Sequence, residues 1–216
     1  MKTRTRIAVI TAAGIVAAGA FATTFALAND SPAMHGPGAG RGSDPGAVTM
    51  PRGGPRDGGC LAVPAIVDPS GTLTEAQRTA LAANAEEEKL AHDLYTEFAN
   101  RYDLRVFDRI AASETAHLQA VRTLLSRYGI ADPTADQAPG HFATPAVQAT
   151  YDRLLAEGSA GQDAALEAGR TVETADIALL RESLDDLTAP DVQRVYDGLL
   201  TASQHHLAAF DRHLSR

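Results

Sequence analysis

Glu114 and His117 stand one helical turn apart inside a run, Phe107 to Tyr128, whose other recurring positions are apolar. Phe107, Glu114, Val121 and Tyr128 are spaced by seven, as are Ile110, His117 and Leu124 on the neighbouring seam. On a helix these rows make one buried face, so a carboxylate and an imidazole point inward together. Burying that pair is costly without compensation. A metal ion supplies it, and Glu-x-x-His is a spacing with which bundle helices hold one. A Glu–His hydrogen bond on a slightly wet seam is the competing reading of this motif alone.

The same phase singles out partners elsewhere. Glu88 shares a row with Leu81, Tyr95 and Tyr102. Glu173 shares one with Leu166, Leu180 and Leu187, and Asp176 one with Gly169 and Ser183, so Glu173-x-x-Asp176 faces inward. Ser203 lies with Tyr196 and Phe210, and His206 with Val192, Leu199 and His213. Ser203-x-x-His206 thus takes the place that Glu114-x-x-His117 holds. His92, one turn beyond Glu88, reads either as a ligand or ligand partner or as a core-edge histidine. Glu86 and Glu87 are expected on a solvated acidic face, and His205 off the buried face.

Long helices must position these residues. Thr74-Glu75-Ala76-Gln77 is a capping box opening the first, which the pattern carries to about Asn100. A short link at Tyr102-Asp103-Leu104 makes the second helix its antiparallel neighbour. Gly129 and Asp132-Pro133 end that helix. Roughly 30 residues then pass, too many for a hairpin, holding one short helix between Thr144-Pro145 and Gly158. A third long helix is expected from Gln162 to Leu187, and Pro190 opens a fourth. Glu88 and His117 lie about 18 Å from the first link, and Glu173 and Ser203 about 21 Å from the second. One polar layer at one height therefore crosses four helices. The fold expected is all-α: a four-helix bundle whose long crossover between helices two and three carries a short extra helix.

The chain outside the bundle reads differently. Lys2, Arg4 and Arg6 precede an uncharged apolar stretch, Ile7 to Phe25, followed by Ala26-Leu27-Ala28. This is the pattern of a secretory signal peptide, residues 1–28, with an uncleaved membrane anchor as the alternative. The expected location is extracytoplasmic, secreted or at the cell surface. Its removal takes away three basic residues and no acidic ones, so the formal charge of -8 becomes -11. No basic stripe is left to neutralise phosphates, which argues against a nucleic-acid partner. Asn29 to Ser70 is dense in Gly and Pro and reads as a disordered tether. Cys60, the only cysteine, cannot form an intramolecular disulfide. Residues 71–216 form the folded domain.

Four blocks in order carry a family resemblance: Glu86-Glu-Glu88-Lys-Leu-Ala-His92-Asp-Leu-Tyr95, Ile110-Ala-Ala-Ser-Glu114-Thr-Ala-His117, Val172-Glu173-Thr-Ala-Asp176-Ile177 and Ser203-Gln-His-His206-Leu-Ala-Ala-Phe210. Together they resemble the domain of unknown function 2202 family, a ferritin-like, rubrerythrin-related group. The resemblance implies a ferritin-like bundle and a dinuclear centre of two metal ions, most often iron in such folds, with manganese an alternative. By position, Glu88 resembles a terminal carboxylate, and Glu114 and Glu173 resemble bridging ones. His117 and His206 resemble the two imidazole ligands, and Asp176 an additional carboxylate. Tyr95 resembles a tyrosine that hydrogen-bonds a ligand from behind. Two residues depart: Ser203 stands where such folds place a carboxylate, and His92 where the family usually has arginine.

Two functions compete. One is a metal-dependent oxidase that oxidises ferrous iron or reduces oxygen or peroxide, since oxygen and imidazole donors suit iron or manganese. The chain has no Cys-x-x-Cys pair, so it has no built-in electron donor of the rubredoxin kind; the donor is unknown, and a homodimer is one assembly left open. The other is a non-enzymatic exported module that sequesters metal or serves structurally. A polar layer that only fixes helix register is a third, weaker reading.

Overall fold

The computed structural model describes residues 66–216. The predicted signal segment, Cys60 and all but the last five residues of the predicted tether lie outside the described residues. Those that are described contain five helices and no strand: α1 (Glu75–Tyr102), α2 (Arg105–Arg127), α3 (Pro145–Gly158), α4 (Gln162–Leu184) and α5 (Pro190–Leu214).

Local chemistry sets the boundaries. The Gln77 amide donates to the Thr74 hydroxyl at 3.2 Å and the Thr74 amide to Gln77 Oε1 at 2.9 Å, the capping box expected. Asp103 ends α1 in the left-handed region at φ 49° and turns the chain directly into α2. Pro145 and Pro190 occupy the first turns of α3 and α5, where a missing N–H costs nothing. The expected third long helix stops at Leu184 rather than Leu187. Asp186 adopts φ 56° there, and the turn folds Leu187 back into the core.

Helices α1, α2, α5 and α4 pack in a ring, each against the next, while α3 lies outside on α1 and α4. Gln162 at the start of α4 donates to the Tyr102 carbonyl at the end of α1. At the other end Tyr128, after α2, donates to Asp191 at the start of α5. Helices α2 and α4 are therefore parallel and diagonally opposed, and the chain between them must run the length of the bundle. That is why the crossover is long.

The core falls into two apolar clusters. One is built on Leu90, Leu94, Phe98, Phe107, Leu166 and Phe210. The other is built on Leu81, Val121, Leu180, Val192, Tyr196 and Leu199. Each long helix passes from one cluster to the other through its predicted polar residues. On α2 the break falls between Ala111 and Leu118, on α5 between Leu199 and Ala209. The polar layer is a plane across the bundle.

The crossover is stapled to α1 by charge. Asp93 accepts from Lys89 and from the Gly140 amide, and Lys89 also donates to the Ala138 carbonyl and lies over the Phe142 ring. Glu86 accepts from the Thr144 amide at 2.9 Å and from its hydroxyl at 2.5 Å. The expectation of a solvated acidic face is corrected here: Glu86 is 3% exposed, because the returning crossover covers that side of α1. Residues 66–70 are also held. Arg127 donates to the Asp68 carbonyl at 2.9 Å, Arg194 pairs with the Asp68 carboxylate, and Ile66 packs on the second cluster.

Candidate metal centre

Glu88 on α1, Glu114 and His117 on α2, Glu173 on α4 and His206 on α5 all reach the polar layer, each no more than 3% exposed. They form two three-residue groups, Glu88–Glu114–His117 and Glu114–Glu173–His206, and Glu114 belongs to both. Its Oε2 lies 2.6 Å from His117 Nδ1, and its Oε1 lies 2.8 Å from His206 Nδ1. Glu88 Oε2 is 3.4 Å from His117 Nδ1, and Glu173 Oε2 is 3.7 Å from His206 Nδ1. The two imidazoles stack at 5.6 Å between centroids. One carboxylate thus faces two imidazoles, one oxygen to each.

The electrostatics follow from this crowding. Burial disfavours imidazolium at His117, but the Glu114 carboxylate outweighs it and raises the pKa to about 11. At His206 burial acts the same way, and Glu114 and Glu173 raise the pKa to about 10. Burial would raise Glu114 too, but the two imidazolium charges hold it well below the ordinary carboxylate range. Glu88 is pushed up to about 8, by burial first, with the Glu114 charge adding to it against the pull of His117. Glu173 is raised as well, mainly by burial.

The donor set is one that could hold metal. At ligand lengths near 2.1 Å, donors of one ion stand roughly 3 to 4 Å apart, close to the spacings found. Glu88 Oε1, Glu114 Oε1, His206 Nδ1 and Asp176 Oδ1 are buried without a hydrogen-bond partner. The close Glu114–His206 contact is thus not a well-directed hydrogen bond. Native cores rarely leave four such atoms unsatisfied in one layer. Support from behind is also present. Tyr95 donates to Glu173 Oε1 at 2.7 Å, and Ser113 Oγ lies 3.2 Å from His117 Nε2, which fixes the imidazole so that Nδ1 faces the carboxylates.

The remaining predicted residues divide. Asp176 sits beside the layer, its Oδ2 accepting from the Ser203 hydroxyl at 2.5 Å. Burial and the charges of Glu88 and Glu173 hold its carboxyl well above the usual range. Glu173, which the resemblance casts as a second bridge, belongs to the His206 group alone, with Tyr95 on its other oxygen. His92 is not in the layer. It pairs with Asp93 at 2.9 Å and lines an outer groove between α1 and α2 with Thr96, Asp108 and Thr115. Four residues turn a helix through about 400°, so His92 stands about 40° round the axis from Glu88, which moves it onto the rim. Glu87 is not solvated as expected: it is partly buried, and burial and the charge of Asp176 push it up to about 8. Ser113 went unpredicted, although its i, i+4 spacing to His117 was a readable signal.

The chain belongs to the family described as Uncharacterized protein domain (DUF2202), whose model matches residues 78–216. It is similar to the uncharacterized protein MJ0754 of Methanocaldococcus jannaschii, 35% identical over 147 residues, which span 68% of this chain and 80% of that protein. The crystal structure of that hypothetical protein superposes with a TM-score of 0.67, covering 68% of this chain and 85% of the other.

Proposed function

We propose that this is an exported ferritin-like protein that binds two metal ions, iron foremost, and uses them to oxidise ferrous iron or to reduce oxygen or peroxide. The observation that carries this reading is Glu114, buried, with one oxygen toward each of two imidazoles and a further carboxylate beside each. A carboxylate so placed would offer one oxygen to each of two cations. Glu88 and His117 would hold one ion, Glu173 and His206 the other, and Glu114 both. All donors are oxygen or imidazole nitrogen, which suits iron or manganese over soft-metal alternatives.

Two ferrous ions, when bound, supply electrons to oxygen or peroxide at one place. The chain's own contribution is spacing and exclusion of water. Glu114 fixes the separation of the two positions, Ser113 and Tyr95 hold ligands in place, and the apolar clusters above and below keep the layer dry. Export is supported by the basic start, apolar run and Ala26-Leu27-Ala28 of the N-terminus. The experiment is anaerobic loading with ferrous ion followed by exposure to oxygen. Oxidation of the bound iron, faster than that of free iron, supports the oxidase. Iron that binds but oxidises no faster than in buffer supports a sequestering module instead.

A further inference from the structure

We propose that Ser203 is a positioning residue: it presents Asp176, from the neighbouring helix, as the carboxylate that α5 lacks, so that the His206 position takes a divalent first-row cation through Asp176 as well as Glu114, Glu173 and His206. The proposal rests on the dinuclear reading above.

Register comes first. Ser203 precedes His206 by three residues, as Glu114 precedes His117, so α5 carries a hydroxyl where α2 carries a carboxylate. A neutral hydroxyl is a poor ligand and offsets no charge. The Ser203 side chain is not idle, however. It is 2% exposed, and its hydroxyl reaches across to α4 and donates to Asp176 Oδ2 at 2.5 Å. The Leu199 carbonyl is also within reach at 2.9 Å, but one hydroxyl proton serves one acceptor best, and the shorter bond to a carboxylate is the stronger.

The second oxygen of Asp176 decides between a ligand and a strut. A carboxylate that only tied α4 to α5 would be expected to have both oxygens satisfied. Asp176 Oδ1 is buried and has no hydrogen-bond partner, as is true of Glu114 Oε1 and His206 Nδ1 in the adjoining group. Asp176 is not a member of either three-residue group, so its side chain would have to turn toward His206 when an ion is bound. Charge points the same way. Three glutamates against two divalent cations leave one positive charge in a dry layer, and Asp176 cancels it.

An aspartate on a neighbouring helix reaches less far than a glutamate on the same one, so the two positions are unequal, the His206 position being the weaker. The test is equilibrium binding of manganous ion to the full-length protein and its variants, with helicity checked by circular dichroism. Wild type should bind two ions in resolved steps. Asp176→Asn should keep the first step and weaken the second by at least about tenfold. Ser203→Ala should weaken the second by about 10- to 100-fold, the usual effect of removing a partner that orients a ligand. Ser203→Thr, which keeps the hydroxyl, should stay near wild type. If Asp176→Asn leaves both steps unchanged, or weakens them equally, Asp176 is not the missing carboxylate. If Asp176→Asn acts as expected but Ser203→Ala does nothing, Ser203 does not position it. A wild type that binds no ion overturns the dinuclear reading itself, whereas two equal, Asp176-independent sites overturn only this inference.

Discussion

Glu114 concentrates the chemistry of the layer, because each of its oxygens serves a different imidazole. Glu114→Gln should therefore lose both ions, whereas Glu88→Gln should weaken one and spare the other. Metal content per chain after equilibrium dialysis checks this, and equal losses in the two variants would contradict it. Glu87→Gln should keep both, since Glu87 is only partly buried and lies off the row that carries Glu88 inward. The residues that were legible in sequence are those whose burial is set by their own helix. Glu88, Glu114, His117, Glu173 and His206 sit at apolar-row positions, and a heptad count finds them. Glu86 and Glu87 were misread because their surroundings come from elsewhere in the chain: the crossover covers one, and Asp176 on α4 faces the other. Ser203 was seen as a missing ligand, but its hydrogen bond to Asp176 depends on how α5 is set against α4, which no local pattern encodes.

At the scale of elements, the crossover is held by buried charge rather than by apolar packing alone. Lys89 and Asp93 are both about as buried as core residues, and each has further partners on the returning chain. Lys89→Met leaves Asp93 buried without its cation and should destabilise the protein by about 3–5 kcal/mol, read from denaturant unfolding. The sign of the pH dependence follows. Burial raises the Asp93 pKa, but hydrogen bonds from His92 and Lys89 outweigh it, and the net shift is downward from 3.8. A carboxylate depressed in the folded state contributes stability that is present above its unfolded pKa and lost as pH falls through the folded one. The stability difference between wild type and Asp93→Asn should thus be full near neutrality and shrink below about pH 4. A difference that grows on acidification would contradict it. Close packing makes a second test. A Cβ on Gly169 would come within 2.7 Å of the Phe210 ring, and Gly169→Ala should cost about 1–3 kcal/mol in thermal or denaturant unfolding. Helix number, order and most boundaries were legible, because Thr74, Pro145, Pro190 and the glycine stops act locally; the end of α4 was not, because Asp186 turns the chain there. The ring order of the helices was not. It follows from the crossover's length only once the start of α4 is seen beside the end of α1.

For the whole molecule, two apolar clusters and one polar plane define the domain, and the residues before α1 already belong to it. The Gly71 amide donates to the Tyr128 hydroxyl, which donates in turn to Asp191, a carboxylate with no exposed surface. The family model begins only at residue 78, so a fragment cut there would lose the Gly71 bond of this network and the α1 cap. It should melt below a fragment beginning at residue 66, as scanning calorimetry would show. Export makes a separate prediction: the secreted product should begin at Asn29, and recovery of the intact chain in membranes would favour an anchor.

We propose that the buried layer is a two-ion site organised by one shared carboxylate. Anaerobic titration of the full-length protein with ferrous ion tests it most directly. Two ions should bind per wild-type chain, and none should be held tightly by a folded Glu114→Gln variant. A wild type that takes up no iron, or a Glu114→Gln variant that binds both ions as well as wild type, would contradict it.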